Sequence, residues 1–157
     1  TIRARSWGKP RPQHTTALPP LTWATGVFNE DFSFNCCLFD DAREYPALKG
    51  RFELPPENLL SSGWVHRDGK RARVVSGRKL VERDLKTFIT PRIQFELSDD
   101  LGRTMVIKGT LVSSCPWAFW PNMVTVFGMM RWQCDGIDGY GDSQCVFWSD
   151  YMNYAAL

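Results

Sequence analysis

Apolar and polar residues alternate with a period of two over much of this chain. The alternation is clearest at residues 92–97, where Ile93, Phe95 and Leu97 share one face and arginine, glutamine and glutamate share the other. Such a pattern is typical of a strand with one buried face. No window continues the i, i+3, i+4, i+7 spacing of a helix beyond about one turn. The sequence therefore predicts an all-β chain with less than about 15% helix.

Short turns rich in aspartate and glycine separate the alternating segments. Residues 67–70 and 99–102 predict hairpin turns, residues 29–31 separate two aromatic runs, and Gly109 predicts a bulge or a bend. Eight to ten strands joined by hairpins favour an antiparallel barrel or sandwich. We expect one short helical turn at 55–60 and strands at 21–28, 32–39, 47–53, 63–67, 71–76, 85–90, 92–97, 105–111, 122–134 and 142–149.

Length, charge and cysteine usage narrow the class of protein. The 157 residues predict a single domain over 1–157, and 19 basic against 17 acidic residues give a formal charge of +2. That charge is too small to favour nucleic acid or a membrane surface as partner. No apolar stretch reaches the roughly 18 residues of a membrane span. Five cysteines without a C-x-x-C motif predict reduced thiols used as small apolar residues, and a cytoplasmic protein.

The last quarter of the chain is unusually aromatic. Residues 117–154 hold ten of the 21 aromatic residues, together with one arginine, four aspartates and two glutamines. Aromatic area with a few polar groups is what a pocket for an apolar small molecule needs, so a hairpin here is expected to form one wall of such a pocket.

Arg131 leaves two interpretations open for the strand at 122–134. Phe127 and Arg131 share one face and Trp132 lies on the other, so the strand is either central and buried on both sides or part of a pocket. If Arg131 faces inward, it needs a carboxylate or a ligand. Asp142 and Gln144 are placed to return opposite it, and a structural ion pair is the favoured explanation.

Cofactor motifs are missing from the sequence. The acidic spacing at 135–142 does not match a calcium loop, and its glycines are expected to supply positive φ for a tight connection. The chain has no phosphate-binding loop, dinucleotide fingerprint or nucleophile elbow. We therefore expect no metal and no cofactor.

Three short motifs, taken in order, resemble a known family. Residues 5–12 (RSWGKPRP) resemble an R-S-W-G-x-R motif, the aromatic run 23–34 follows, and the chain closes on 131–144. This order resembles the second half of bacterial proteins related to carotenoid 1,2-hydratase, which are two-barrel, lipocalin-like proteins. The resemblance implies a lipocalin-like barrel or half-barrel that forms the C-terminal half of a two-barrel protein. Its partner would be a second barrel domain or a second copy of the chain.

The same resemblance implies acid chemistry without a cofactor. A hydratase, cyclase or isomerase of this type would protonate a terpenoid-, steroid- or polyketide-like substrate. Asp138 or Asp142 would be the acid, with a pKa raised by the aromatic surroundings. The substrate-binding residues would be Arg3, Arg5, Trp7, Phe127, Arg131, Trp132, Tyr140, Gln144 and Trp148. The alternatives are a non-catalytic ligand carrier and a protein-interaction module whose aromatic residues form an exposed face, with both aspartates as hydrated turn residues.

Overall fold

Eight antiparallel strands close into a barrel in a computed structural model, which describes residues 17–155 without the side chains of 119 and 120. Each strand pairs with the next along the chain, and the last pairs with the first. The all-β prediction is confirmed, and the barrel is consistent with a lipocalin-like architecture. The strands are β1 (Leu21–Asn29), β2 (Phe32–Phe39), β3 (Leu60–Arg67), β4 (Lys70–Glu82), β5 (Arg92–Asp99), β6 (Thr104–Trp120), β7 (Met123–Cys134) and β8 (Ile137–Trp148).

The tight hairpins use aspartate and glycine where both turn residues need positive φ. Asp68 and Gly69 have φ of 55° and 69°, and Asp135 and Gly136 have φ of 50° and 78°. Two successive positive φ values suit the right-handed twist of the flanking strands. The turn predicted at 67–70 is confirmed. The turn predicted over 135–142 is shorter than expected, because β8 already begins at Ile137.

Two predicted strands are wrong, and one helix was missed. The segments 47–53 and 85–90 are not strands; the first overlaps a 3-10 turn at Pro46–Leu48, and a second such turn lies at Pro56–Asn58. Their apolar side chains Leu48, Phe52 and Phe88 are buried together at one end of the barrel. The missed helix, α1 (Ser149–Ala155), packs on the same end through Tyr151. A short apolar run marks burial and does not by itself specify a strand.

Trp132 fills the centre of the barrel. Its ring lies 5.2 Å from that of Phe34, edge to face, and 6.0 Å from that of Phe95. Its Nε1 donates a hydrogen bond of 2.8 Å to the backbone carbonyl of Thr25. Side chains from strands β1 to β7 complete a closely packed core around it. The predicted face of Met105 and Ile107 belongs to this core.

Two glycines on opposite sides of Trp132 make room for its ring. A Cβ at Gly109 would lie 2.6 Å from Trp132 Cε3, and one at Gly26 would lie 2.6 Å from its Cδ1. Of the bulge or bend predicted at Gly109, the bulge is wrong, because the pairing of β6 runs through this residue without a shift. The register of β6 shifts instead between Leu111 and Ser113.

The cysteines lead to a first testable prediction. All five are free, only Cys115 is exposed, and burial raises the pKa of Cys134, with help from Asp135, to about 11. Since the thiolate is the nucleophile, we expect one thiol of the folded protein to react with a maleimide at pH 7 and all five to react in denaturant. Mass spectrometry of the labelled protein counts them. More than one rapidly labelled cysteine in the folded protein would contradict the burial of the other four.

Candidate functional site

The aromatic hairpin forms strands β7 and β8, whose side chains alternate between the barrel interior and its outer surface. Met130 and Trp132 are fully buried in the interior, whereas Met129 and Arg131 on the outer side are exposed. The interpretation of β7 as a strand buried on both faces is therefore wrong. Phe127, also on the outer side, is half-buried.

The register brings several predicted site residues next to one another on the outer surface. These residues lie on neighbouring strands and project from the same side of the sheet. The outward pairs of β7 and β8 are Phe127 with Gln144, Met129 with Asp142, and Arg131 with Tyr140.

Strands β1 and β6 widen this surface on either side. In β1, Trp23 lies opposite Gln144 and Val27 lies opposite Tyr140. In β6, the shift after Leu111 reverses the side on which later residues project, as expected for a bulge. Trp117 consequently lies on the outer side, with its ring 5.8 Å from that of Phe127.

Six large apolar side chains on these four strands make up what we call the outer aromatic face. Five of them are 37–62% exposed, and Phe127 is half-buried. A groove of about 290 Å³ crosses the face between β6 and β8 and is lined by Phe127, Met129 and Asp142, among others. The outer aromatic face consists of Trp23, Val27, Trp117, Phe127, Met129 and Tyr140.

Asp142 is the acidic group set within this face. The Thr25 hydroxyl donates a hydrogen bond to its Oδ1, and Gln144 Nε2 donates one of 3.2 Å to its Oδ2. The carboxylate is thus held in a fixed orientation between β1 and β8 while remaining at the edge of the groove. Such a group is suited to accept a hydrogen bond from a ligand.

Arg131 forms the expected ion pair, but with a different partner. Its Nη2 lies 2.7 Å from Asp138 Oδ2, and both side chains are exposed. The hydrogen bond and charge of Arg131 lower the pKa of Asp138. The raised pKa expected for Asp138 is therefore wrong. Asp138 is an ionised surface carboxylate, so it is poorly suited to donate a proton as a general acid.

A larger and more polar groove lies beside the outer aromatic face. It has a volume of about 760 Å³ and crosses the outer surface from β4 to β8, with Arg92, Lys108, Arg131, Gln133 and Asp138 in its lining. Within residues 17–155, no group of three or more histidine, cysteine, aspartate or glutamate side chains is placed to hold a metal ion.

The remaining predicted site residues do not all join this surface. Trp132 is in the core and cannot line an outer site. Trp148 is half-buried at the end of β8 that adjoins α1. Arg3, Arg5 and Trp7 lie outside the described residues.

Sequence reasoning missed four members of the face. Trp23 and Val27 follow the alternation of β1, but their place beside β8 depends on closure of the barrel. Trp117 reaches the face only through the bulge in β6. Met129 shares the strand face of Phe127 and Arg131 by alternation, and that shared face was the signal available for it.

A comparison with sequence models of protein families gives a match over most of the chain. The sequence model of a family described as a domain of unknown function, DUF7064, matches residues 1–148. The chain belongs to this family. The match ends at the last residue of β8, so the DUF7064 region contains every strand of the barrel, and α1 follows it.

Other comparisons add no relative with an assigned activity. Neither a curated protein nor a solved structure matches this DUF7064 chain at a significant level. Among residues 17–155, the structure has no helix long and apolar enough to cross a membrane. The cytoplasmic location expected from the reduced cysteines stays a prediction.

Proposed function

We propose that this protein binds an apolar small molecule of terpenoid, steroid or polyketide size against the outer aromatic face, and that a second barrel domain covers the molecule from the other side. The observation that carries the proposal is the outward presentation of six large apolar side chains on four neighbouring strands. Contiguous apolar patches on soluble proteins are limited in size, and the largest are often binding sites.

The exposed area fits a shared site. Trp23, Trp117 and Tyr140 are 37–62% exposed, and at about 150–250 Å² for each aromatic side chain they leave roughly 300 Å² uncovered, to which Val27 and Met129 add. This is within the range of about 300–600 Å² for the largest patch of a monomer, and below the ~800 Å² per partner of a standard protein interface. A ligand together with a covering domain accounts for such an area better than a protein partner alone.

Polar groups beside the face supply the small number of orienting contacts that such a site requires. Asp142 and Gln144 lie within the face, and Arg131 borders it. A ligand hydroxyl can donate to Asp142, and a ligand carbonyl can accept from Gln144 or Arg131. We therefore assign these three residues to ligand orientation.

The resemblance to the second half of carotenoid 1,2-hydratase relatives supports the second barrel. One outer wall encloses a ligand on one side only, and packed side chains around Trp132 occupy the centre of this barrel. A molecule held by the face must therefore be enclosed from outside. The proposal is for binding and assigns no acid: in it Asp138 is an ionised partner of Arg131 at the surface, and Asp142 is an acceptor of hydrogen bonds.

Substitution at the centre of the face tests the proposal. Met129→Lys places an ammonium among the aromatic side chains, and a bound apolar molecule would have to desolvate it. We expect the affinity for a bound apolar ligand to fall by about tenfold or more. The measurement is quenching of tryptophan fluorescence during titration with retinol, a sterol and an anthraquinone.

Val106→Lys is the matched control. Val106 is an exposed apolar residue on the outer side of β6, in the part of the strand that pairs with β5. This variant should bind like the wild type. If no compound of the panel quenches the fluorescence and light scattering shows a homodimer, a second copy of the chain would replace the ligand as the occupant of the face. Equal loss of ligand affinity in Met129→Lys and Val106→Lys would also count against a binding site on the outer aromatic face.

A further inference from the structure

Three charged side chains are buried together at the end of the barrel that α1 covers. Asp40, Lys79 and Arg83 are each 0–6% exposed. Lys79 faces inward because the register of β4 shifts between Val74 and Ser76, which reverses the side on which later residues project. The cluster lies outside the outer aromatic face, and the proposed function does not use it.

The ammonium of Lys79 is fully engaged. Its Nζ donates to the Leu38 carbonyl at 2.9 Å, to the Thr22 hydroxyl at 3.1 Å and to the Pro20 carbonyl at 3.4 Å, and it forms an ion pair with Asp40 Oδ1 at 2.7 Å. An ammonium has three protons, and the three hydrogen-bond acceptors match them. Lys79 therefore has no capacity left for a ligand.

Arg83 is different, because only one of its nitrogens is engaged. Its Nη1 lies 2.7 Å from Asp40 Oδ2 and 3.4 Å from the Tyr151 hydroxyl. Nε and Nη2 are both buried and have no hydrogen-bond partner among the described residues. These two nitrogens form one edge of the guanidinium, whose parallel N–H groups match the two oxygens of a carboxylate.

The charge balance points to the same class of ligand. With Lys79 and Arg83 protonated and Asp40 ionised, the cluster carries two positive charges and one negative charge. A buried net charge is unfavourable unless it is paired. The ring of Phe147, 4.9 Å from Arg83 Cζ, is an apolar wall beside the guanidinium.

We propose that the free Nε–Nη2 edge of Arg83 is a buried binding site for a small carboxylate. The carboxylate would accept two parallel hydrogen bonds from this edge and would neutralise the cluster.

Thermal unfolding in acetate tests the site. At constant ionic strength, replacing chloride with acetate should raise Tm saturably, by about 3–5 °C at a tenfold excess over Kd. Arg83→Lys keeps a cation beside Asp40 but removes the edge, so its Tm should not respond. Arg92→Lys is the matched control: Arg92 is exposed and paired with Glu82, and its response should equal that of the wild type. An equal response in Arg83→Lys would overturn the proposal.

A measurement on the wild type covers the case in which Arg83→Lys does not fold. Structures of crystals grown with and without acetate should differ at the Nε–Nη2 edge of Arg83. The crystal grown with acetate should show planar density for two oxygens there. A single water on the edge in both structures would show that solvent satisfies the guanidinium, and would overturn the carboxylate site. Neither result bears on ligand binding at the outer aromatic face.

Discussion

Trp132→Ala is expected to lower the free energy of unfolding by about 3–5 kcal/mol. The side chain is fully buried, contacts Phe34 and Phe95, and donates to the Thr25 carbonyl. Its removal leaves a cavity at the centre of the barrel and takes one hydrogen-bond donor from the Thr25 carbonyl. Chemical denaturation measures the loss. Met129→Ala, a truncation of an exposed side chain on the same strand, is the control and should change stability by less than about 0.5 kcal/mol.

The complementary change fills the space that the ring occupies. Gly109→Ala is expected to cost about 1–3 kcal/mol, because the added methyl group meets the six-membered ring of Trp132. In a Trp132→Phe background the same methyl group has more room, so its cost should be smaller. Additive costs in the double variant would show that Gly109 and Trp132 are not coupled and would contradict the packing described for the barrel centre.

The general architecture was accessible from the sequence because it depends on local signals. The alternation at 92–97 became β5, and the aspartate–glycine pair at 68–69 became a hairpin turn. Both signals are complete within a few residues. The segments 47–53 and 85–90 were wrongly predicted as strands because their apolar residues are buried by residues distant in sequence. Phe52 and Phe88 pack against Phe147 and Tyr151 at the end of the barrel.

The inward or outward direction of the aromatic hairpin was not accessible. In β7, Phe127 and Met129 on one side are as apolar as Met130 and Trp132 on the other. Alternation therefore cannot say which side forms the core. The small residues on neighbouring strands decide it, because Gly109 and Gly26 leave space for a large ring on one side only.

Glycines of β8 illustrate a second limit. Gly139 and Gly141 were expected to supply positive φ, but neither has it. A Cβ at Gly139 would lie 2.6 Å from the Val27 carbonyl oxygen, and one at Gly141 would lie 2.8 Å from Gly26 Cα. These glycines allow β8 to approach β1 closely, and the chain approached is more than 100 residues away in sequence.

The buried charge cluster had no sequence signal at all. Lys79 stands next to Arg78 in a strand with many basic residues, and strict alternation from Val74 would place it on the outer surface. The bulge between Val74 and Ser76 adds one residue and turns the Lys79 side chain to the inside of the barrel. Its partner Asp40 is 39 residues earlier in the chain, at the end of β2.

Asp40→Ala is expected to lower the free energy of unfolding by about 3–5 kcal/mol in a buffer without carboxylates. The substitution leaves Lys79 and Arg83 as two buried cations with no counter-charge. Lys79→Met is the matched control, because it leaves Asp40 and Arg83 as a one-to-one pair and inserts a side chain of similar length. Its cost should be clearly smaller. Equal costs would mean that the surplus positive charge of the cluster is unimportant.

The pH dependence of the same variant provides an independent check. Burial opposes ionisation of Asp40, but the charges of Lys79 and Arg83 outweigh it and hold the pKa of the carboxyl below its usual value. Between the two pKa values the unfolded chain binds more protons than the folded one, so stability rises with pH. The contribution of Asp40 is therefore fully present above the unfolded value of about 4 and is lost as pH falls through the lower folded value. The difference in stability between wild type and Asp40→Ala should be constant from pH 5 to 7 and should shrink below about pH 4, because only the wild type then loses the pairing. A difference that stays constant down to pH 2 would contradict an ionised Asp40 in the folded barrel.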